Sequence, residues 1–273
     1  MEPIPRPRTV PDEMDVVSVG YAPVKGTRHL MRTAPVFDGT GPVDDRRFCL
    51  VDAERHRVLR TVEHPSLIAV VARLQAGGVL EVTLPDGRTV REAPTPSGVT
   101  QACDYWGRSV GLTLLDGPHA ALLSSWLGRP VRLAAAPRGG VVYGAPISLV
   151  ATASLRDLGE RAGHPDLVAQ ASRFRATFLV ETARPYEEEA WQGEEVRLAG
   201  LTVRIGEPIP RCAVIDVHPC TGRRDAHLLK SLAGYRRGDP DGAPPFGVYG
   251  HVVASPARTD LGPGSVQPSR CPG

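Results

Sequence analysis

The chain has 273 residues and an almost balanced charge, with 32 basic and 30 acidic side chains giving a formal net charge of +2. Because it has no basic run and only 5% aromatic residues, nothing in the sequence indicates a nucleic-acid-binding surface, and we expect no nucleic-acid partner. Its 29 glycines and 27 prolines show no period, which favours many turns and short strands over long helices.

The first half of the chain is predicted to form a meander of short strands. Alternating apolar residues bounded by turn residues indicate strands at 16–21, 47–52, 58–62, 67–74, 79–84, 89–92 and 110–114. Pro85-Asp86-Gly87 predicts a tight hairpin turn between two of these strands. A helix is expected over 118–127, where apolar residues share one face and Gly128 provides the stop.

The second half is predicted to mix helices with further short strands. Helices are expected at 154–162, 167–174 and 226–232, and strands at 177–182, 195–198, 201–205, 213–217 and 246–253. Ser154 is the expected N-cap of its helix, and Gly163 follows its last turn. Many short strands and few helices predict a mainly β protein (α+β) built from barrel or sandwich elements.

The thiol of Cys212 is the strongest candidate for a reactive group. It follows Arg211 and two prolines, Pro208 and Pro210, which lack the N–H that strand pairing requires. We therefore expect the strand to stop and irregular backbone to surround Cys212, since such segments often aim a side chain at a ligand. The neighbouring cation favours the thiolate, which is the form that attacks electrophiles and binds metals.

Other roles for Cys212 stay open on these residues alone. With His218 and Cys220 it forms the pattern C-x5-H-x-C, which supplies three ligands of a structural zinc site at an unusual spacing. A Cys212–Cys220 disulfide would need a hairpin that brings the two Cα atoms within ~7 Å.

The compartment is predicted from the cysteines and the N-terminus. Five cysteines are an odd number without a regular framework, which favours a reduced intracellular protein. The first residues lack the apolar region of a signal peptide, and no stretch approaches the ~20 apolar residues of a membrane span. We expect a cytoplasmic protein that does not bind membranes.

Three segments carry cations that could bind an anion. Lys25 and Arg28 flank a glycine after the first strand, where backbone N–H groups could approach a phosphate. Arg46 lies in an acid–base cluster that enters the second strand, and Arg173 and Arg175 are spaced to share one face of a strand. Taken singly, each segment is explained at least as well as charged surface.

The order of these segments along the chain resembles the MOSC family, named after the molybdenum cofactor sulfurase C-terminal domain. Similar segments are Pro23-Val24-Lys25, Asp45-Arg46-x-Phe48 before Leu50-Val51-Asp52, Glu63-His64-Pro65, Trp126 to Leu133, Pro146 to Leu149, Arg173-Phe174-Arg175, Arg211-Cys212, Val217-x-Pro219-x-Thr221-Gly222, Leu232-x-x-Tyr235-Arg236 and Phe246-Gly247-x-Tyr249. The resemblance covers roughly residues 14–266 and implies an N-terminal MOSC-type β-barrel domain at 14–125 and a MOSC β-barrel domain at 126–268.

The resemblance also implies roles for single residues. In relatives such as the mitochondrial amidoxime-reducing component, the signature cysteine binds molybdenum of a pterin cofactor. By that resemblance Cys212 is the molybdenum ligand and the catalytic residue. Lys25, Arg46 and Arg175 would contact the phosphate and the pterin. Arg211 is also expected to bind the cofactor.

The chain departs from the family pattern at several polar positions. The family's serine after Pro-Val-Lys is Gly26, and the proline and asparagine after its Arg-Phe-Arg segment are Ala176 and Thr177. The family's TTVDPDTG reads IDVHPCTG here, so Cys220 has no counterpart in it.

Three functions are consistent with the sequence. The first is an oxidoreductase that uses the molybdenum cofactor to reduce N-hydroxylated or other N–O substrates, with electrons from a separate partner, because no flavin motif or cluster-type cysteine run is present. The second is sulfur transfer through a persulfide on Cys212, supplied by a partner cysteine desulfurase; pyridoxal phosphate would belong to that partner, not to this chain. The third is a binding or accessory module whose site has lost its chemistry.

Overall fold

A computed structural model describes residues 13–32, 36–236 and 242–255 and the backbone of 266–267. The strands are β1 (Val16–Tyr21), β2 (Leu30–Arg32), β3 (Phe37–Asp38), β4 (Gly41–Pro42), β5 (Phe48–Asp52), β6 (Val71–Leu74), β7 (Leu80–Thr83), β8 (Thr89–Glu92), β9 (Thr95–Tyr105), β10 (Arg108–Asp116), β11 (Val131–Ala135), β12 (Ile147–Ala151), β13 (Phe178–Val180), β14 (Glu195–Leu198), β15 (Leu201–Pro210), β16 (Pro245–Ala254) and β17 (Val266–Gln267). The α-helices are α1 (His119–Leu127), α2 (Thr152–Ala162) and α3 (Leu228–Tyr235). Short 3-10 helices lie at Pro65–Ala69, Ala76–Gly78, Ala171–Phe174, Glu187–Trp191 and Ala213–Asp216. The prediction of a mainly β protein with a few helices is confirmed.

The two largest sheets each combine strands that are distant in the sequence. The eight-stranded sheet has the order β14-β15-β16-β12-β13-β1-β2-β17, so β1 and β2 from the N-terminus complete a sheet of the second half. The four-stranded sheet has the order β5-β11-β10-β9, while β6-β7-β8 and β3-β4 form smaller sheets. These strand pairings do not test the proposed division of the chain between residues 125 and 126, which stays a prediction.

Two hydrophobic cores lie on either side of the loop that follows β1. The first core contains Val19 with Phe178 and Trp191, and the second contains Val24 with Leu67. The chain therefore passes from one core to the other between residues 19 and 24 and emerges at residue 25. Burial of apolar side chains on both sides fixes this passage, since each buried aliphatic side chain contributes roughly 1.5–3 kcal/mol.

Strand β15 continues through Pro208 and Pro210, so the expectation that pairing stops before them was wrong. β14 pairs only with residues 201–204 of β15, and within the described ranges no other strand occupies that edge further along. The register with β16 shifts at both prolines, where Pro208 faces Val248 and Pro210 faces Pro245. Because proline is tolerated at bulges and open edges, the ladder bends here without ending.

Several local predictions differ from the structure because tertiary contacts decide them. The strand expected at 213–217 is the 3-10 helix Ala213–Asp216, and the helix expected at 167–174 is reduced to the 3-10 helix Ala171–Phe174. No strand forms at 58–62, which makes only isolated bridges there. Ser154 lies in the first turn of α2 and is not its N-cap, because its hydroxyl donates to the Glu188 carboxylate at 2.9 Å.

The predicted helix stops are present, and no spanning helix is found. Gly128 and Gly163 follow α1 and α2 with φ of 64° and 69°, a left-handed conformation that glycine adopts without a Cβ penalty. Within the part of the chain that the structure describes, no helix is long and apolar enough to cross a membrane.

Gly247 in β16, compared with Gly163 after α2 as the control, tests how closely β16 approaches β12. Their φ angles are 70° and 69°, but a Cβ on Gly247 would lie 2.4 Å from the Leu149 carbonyl oxygen, whereas one on Gly163 would meet nothing within 4 Å. We expect Gly163→Ala to lower the free energy of unfolding by about 1 kcal/mol through backbone strain. Gly247→Ala should lower it by about 2 kcal/mol more through steric overlap. Urea unfolding of both variants measures the difference, and equal destabilisation would contradict the close approach.

Candidate functional site

A cavity of about 400 Å³ collects side chains from distant parts of the chain. All five residues predicted as site residues line it, namely Lys25, Arg46, Arg175, Arg211 and Cys212. The structure thus brings them together, although their individual roles stay predictions.

The loop after β1 fixes the position of Lys25. The backbone N–H of Lys25 donates to the carbonyl of Phe48 at 2.8 Å, and the Thr27 hydroxyl donates to the carbonyl of Val24 at 2.7 Å. Gly26 has φ 91°, and a Cβ there would lie 3.3 Å from Leu67 Cδ1. A serine at this position would therefore be strained, so glycine here is explained by the backbone.

Two cavity arginines lie on strained backbone. Arg46 and Arg175 have φ of 48° and 53°, which costs a residue with a Cβ roughly 1–2 kcal/mol. The backbone N–H of Arg46 donates to the Ala22 carbonyl, and Arg175 Nη1 donates to the Thr27 carbonyl, both at 2.8 Å. The loop that carries Lys25 therefore holds both arginines, and strain of this kind is typical of functional sites.

Arg28 and Arg173, also considered for anion binding, are committed to other contacts. Arg173 lines the cavity, but its guanidinium forms a bidentate ion pair with Asp225, with Nη1 at 2.7 Å and Nη2 at 2.8 Å from the carboxylate oxygens. Arg28 does not line the cavity, and its Nη2 donates to the carbonyls of Ala69 and Cys220. Arg173 and Arg175 do not share a strand face, because Ala171–Phe174 is a 3-10 helix, and Arg173 is neutralised by Asp225.

The remaining cavity cations have little compensating negative charge. Arg46 forms an ion pair with Asp45. Among the described residues, no carboxylate forms an ion pair with Lys25, Arg175 or Arg211. The cavity therefore offers positive charge to a ligand.

Burial lowers the pKa values of Lys25, Arg175 and Arg211, and repulsion by neighbouring cations lowers those of Lys25 and Arg175 further. Burial is the main cause that lowers the pKa of Lys25 to about 7, and Arg46 and Arg175 lower it further. The pKa of Arg175 is lowered to about 10 by burial and by Arg46, and burial lowers that of Arg211 to about 10. A bound anion would relieve this repulsion, since opposite charge favours the protonated form.

Cys212 is an exposed, free thiol at the cavity. The adjacent Arg211 is held by two carbonyls, since Nε donates to Phe246 at 2.7 Å and Nη1 to Phe174 at 2.9 Å. Its Nη2 is buried and has no hydrogen-bond partner within the described ranges. Such an unpaired buried donor is costly and is explained if a ligand accepts from it.

The zinc and disulfide alternatives for Cys212 find no support. Because Cys212 is free, the Cys212–Cys220 disulfide is not formed. In the part of the chain described here, no three His, Cys, Asp or Glu side chains form a cluster that could hold a metal ion.

Most of the departures from the family pattern lie outside the cavity. Of the changed signature positions, Ile215 lines the cavity, whereas Asp216 and His218 do not. Asp216 accepts the backbone N–H of Leu229 at 2.9 Å at the start of α3, and His218 Nδ1 accepts backbone N–H groups of its own turn. The Thr177 hydroxyl accepts the backbone N–H of Ser148 at 3.1 Å and also lies outside the lining. These changes therefore have local structural explanations.

Sequence reasoning missed the aromatic side chains of the cavity. Trp106 and Tyr143 are 42% and 56% exposed, and their ring centroids are 5.1 Å apart. Tyr105 is fully buried, with the Lys25 Nζ 4.9 Å from its ring centroid. The alternating strands around Trp106 could have indicated a hairpin turn, but its contact with Tyr143 depends on the tertiary structure.

Fold and site together define a mainly β protein with a cationic cavity that carries an exposed thiol. Two family models match the chain: the MOSC N-terminal beta barrel domain at residues 13–130 and the MOSC domain at residues 132–266. The chain therefore belongs to the MOSC family, as its motif order predicted.

Curated relatives match over short segments. The molybdenum cofactor sulfurase of Anopheles gambiae is 30% identical over 125 residues, which are 43% of this chain and 16% of that protein. The molybdenum cofactor sulfurase of Homo sapiens is 31% identical over 77 residues, which are 28% of this chain and 8% of that protein. The chain thus spans less than a fifth of the length of these relatives.

One solved structure aligns with part of the chain. It is the solution structure of a protein from Bordetella bronchiseptica, with 17% identity and a TM-score of 0.30. The alignment covers 37% of this chain and 78% of that chain, and its score is too low to support a structural conclusion.

Anion binding to the cavity should depend on the protonation of Lys25. Its pKa is about 7 in the ligand-free protein, and a bound anion would raise it, so affinity should be highest below pH 7 and fall as the pH rises. For sulfate, whose charge is constant in this range, calorimetry should show up to ~tenfold weaker binding per pH unit above the pKa.

Lys25→Met should bind sulfate weakly and lose this pH dependence. The chain has two lysines, and Lys230→Met, which changes the exposed one in α3, should leave binding as in the wild type. Affinity that stays constant as the pH crosses 7 would contradict the role of Lys25.

Proposed function

We propose that the cavity binds the molybdenum cofactor, a phosphate-bearing pterin that holds molybdenum through sulfur. The observation that carries this proposal is the convergence of the Cys212 thiol with Lys25, Arg175 and Arg211, none of which has a described carboxylate partner, in one cavity of about 400 Å³. Membership of the MOSC family and the names of the relatives, molybdenum cofactor sulfurases, support it.

The residues present fit this cofactor chemically. Lys25 and Arg175 would hold the phosphate, with Arg46 beside them, because these cations lack sufficient negative charge of their own. The thiolate of Cys212 is the soft ligand that molybdenum requires. The cavity volume lies within the ~300–1,000 Å³ typical of small-molecule sites.

The reaction we propose is the reduction of N-hydroxylated or other N–O substrates. When bound, the cofactor supplies the two-electron chemistry of molybdenum. The chain itself anchors the phosphate through its cations, presents the Cys212 thiolate, and admits a small substrate past the exposed Trp106 and Tyr143 side chains. Electrons would come from a separate redox partner, since the sequence has no flavin motif or cluster-type cysteine run.

Replacing Cys212 should weaken the binding of the molybdenum cofactor. Protein made in a host that synthesises the cofactor should contain molybdenum and pterin in equal amounts. Cys212→Ser should retain less molybdenum and less pterin than the wild type, because a hydroxyl is a harder and weaker ligand than a thiolate, while the unchanged cations still hold part of the cofactor. Elemental analysis and pterin fluorescence measure the two components.

The same samples test the reaction. Wild-type protein with a chemical electron donor should reduce an amidoxime, and Cys212→Ser should not. Cys103→Ala removes a buried thiol that does not line the cavity and is the matched control, so it should keep the metal, the pterin and the activity. If the purified wild-type protein contains neither molybdenum nor pterin, this function is rejected.

A second candidate is sulfur transfer through a persulfide, favoured by the free and exposed state of Cys212. The Cys212 thiolate would attack the outer sulfur of a persulfide on a partner cysteine desulfurase, whose own thiolate leaves. A nucleophilic acceptor would then take that sulfur and release the Cys212 thiolate. The partner, and not this chain, would use pyridoxal phosphate to form its persulfide from cysteine.

Incubation with a cysteine desulfurase and cysteine tests this second function. The intact mass should increase by one sulfur atom, located on Cys212 and removed by a thiol reductant. Cys103→Ala should be loaded like the wild type, whereas Cys212→Ser should not be loaded. A protein that gains neither sulfur nor molybdenum would be an accessory module, and both proposals would be rejected.

A further inference from the structure

Lys25 has surroundings that suit covalent chemistry of its amine. The side chain lines the cavity, is mostly shielded from water, and forms no ion pair within the described ranges. Its Nζ lies 4.9 Å from the ring centroid of the fully buried Tyr105. An ammonium group here has lost water without gaining a carboxylate, which disfavours its charged form.

The charged and titratable groups around this amine reinforce that effect. Arg46 and Arg175 are the cations that act on it, and the carboxylate of Asp45 is already paired with Arg46. The nearby thiol of Cys49 is buried, which raises its pKa to about 12, so it provides no negative charge. With its pKa near 7, about half of the Lys25 amine is neutral at neutral pH. Burial and neighbouring cations are the two devices that make lysines nucleophilic in proteins.

The guanidinium of Arg175, which lines the same cavity as the Lys25 amine, can bind an anion. Arg175 uses only Nη1 within the described residues, to the Thr27 carbonyl, so its remaining N–H groups can donate to a carboxylate or phosphate. The cavity would therefore hold the anionic end of a small molecule while its other end meets Lys25.

We propose that Lys25 forms an imine with small aldehydes or ketones that carry a carboxylate or a phosphate. The neutral amine attacks the carbonyl carbon, the oxygen leaves as water, and a C=N bond replaces the C=O bond, without net oxidation or reduction. This activity uses the cavity of the proposed function but does not depend on the cofactor. Because both occupants need Lys25 and Arg175, imine formation and binding of a phosphate-bearing ligand exclude each other.

Reductive trapping tests the proposal on the full chain, made in a host that cannot synthesise the pterin. Glyoxylate, the smallest carboxylate-bearing aldehyde, is added with cyanoborohydride, and peptide mapping by mass spectrometry measures the adduct at each amine. Lys230 is the internal control, since it is the other of the two lysines and is exposed in α3. An ordinary exposed lysine is mostly protonated at neutral pH, so Lys25 should react about 100-fold faster.

Further measurements distinguish a specific reaction at Lys25 from the general reactivity of lysine amines. Propanal, which has no anionic group, should show a smaller preference for Lys25, and sulfate should slow the reaction with glyoxylate. Lys25→Arg should retain the fold by circular dichroism and lose the adduct at this position, while labelling of Lys230 is unchanged.

The proposal is overturned if Lys25 in the folded protein reacts no faster than Lys230. An equal preference for Lys25 over Lys230 with propanal and with glyoxylate would reject the anion requirement. A protein that binds the molybdenum pterin but is not labelled refutes only this inference, whereas one that is labelled but never binds the pterin refutes only the proposed function.

Discussion

The constraint on which this structure depends is the confinement of several cations in one partly buried cavity without matching carboxylates. A lysine pKa lowered from 10.5 to about 7 corresponds to roughly 5 kcal/mol of unfavourable free energy when Lys25 is charged. The unfolded chain binds this proton more tightly, so the cost is fully present below pH 7 and is relieved as the pH rises towards 10.5. A cost of this size is a large part of the stability of a typical domain.

The fold tolerates this cost because the cations are held by backbone contacts. Arg46 and Arg175 adopt left-handed backbone, and each is tied through a carbonyl to the segment around Lys25. That segment is itself anchored by Val19 in one hydrophobic core and Val24 in the other. The apolar burial on both sides thus offsets the electrostatic cost, and the charge stays available to a ligand.

The two proposed functions share the same atoms and differ in what the cavity contains. Both use the exposed Cys212 thiol, as the molybdenum ligand in the first and as the nucleophile that carries sulfur in the second, and the first also uses the cations to hold a phosphate. The fixed guanidinium of Arg211, with one buried donor unpaired in the described chain, belongs to the thiol end of the cavity in either case. The structure therefore determines where the thiol and the cations lie, and the two proposals differ in the reaction that they assign to these groups.

The sequence by itself determined the mainly β class, the helix stops at Gly128 and Gly163, and the family, because periodicity, glycine positions and motif order are properties of the chain alone. It also identified five of the residues that line the cavity: the thiol of Cys212 beside Arg211 from its local context, and Lys25, Arg46 and Arg175 only through the resemblance, since each of their segments singly looked like charged surface. The tertiary structure decided that β1 joins a sheet of the second half, that β15 bends through its prolines, and that Arg173 is neutralised by Asp225 while Arg175 is not. These outcomes join residues far apart in sequence, and local propensity contains no information about such partners.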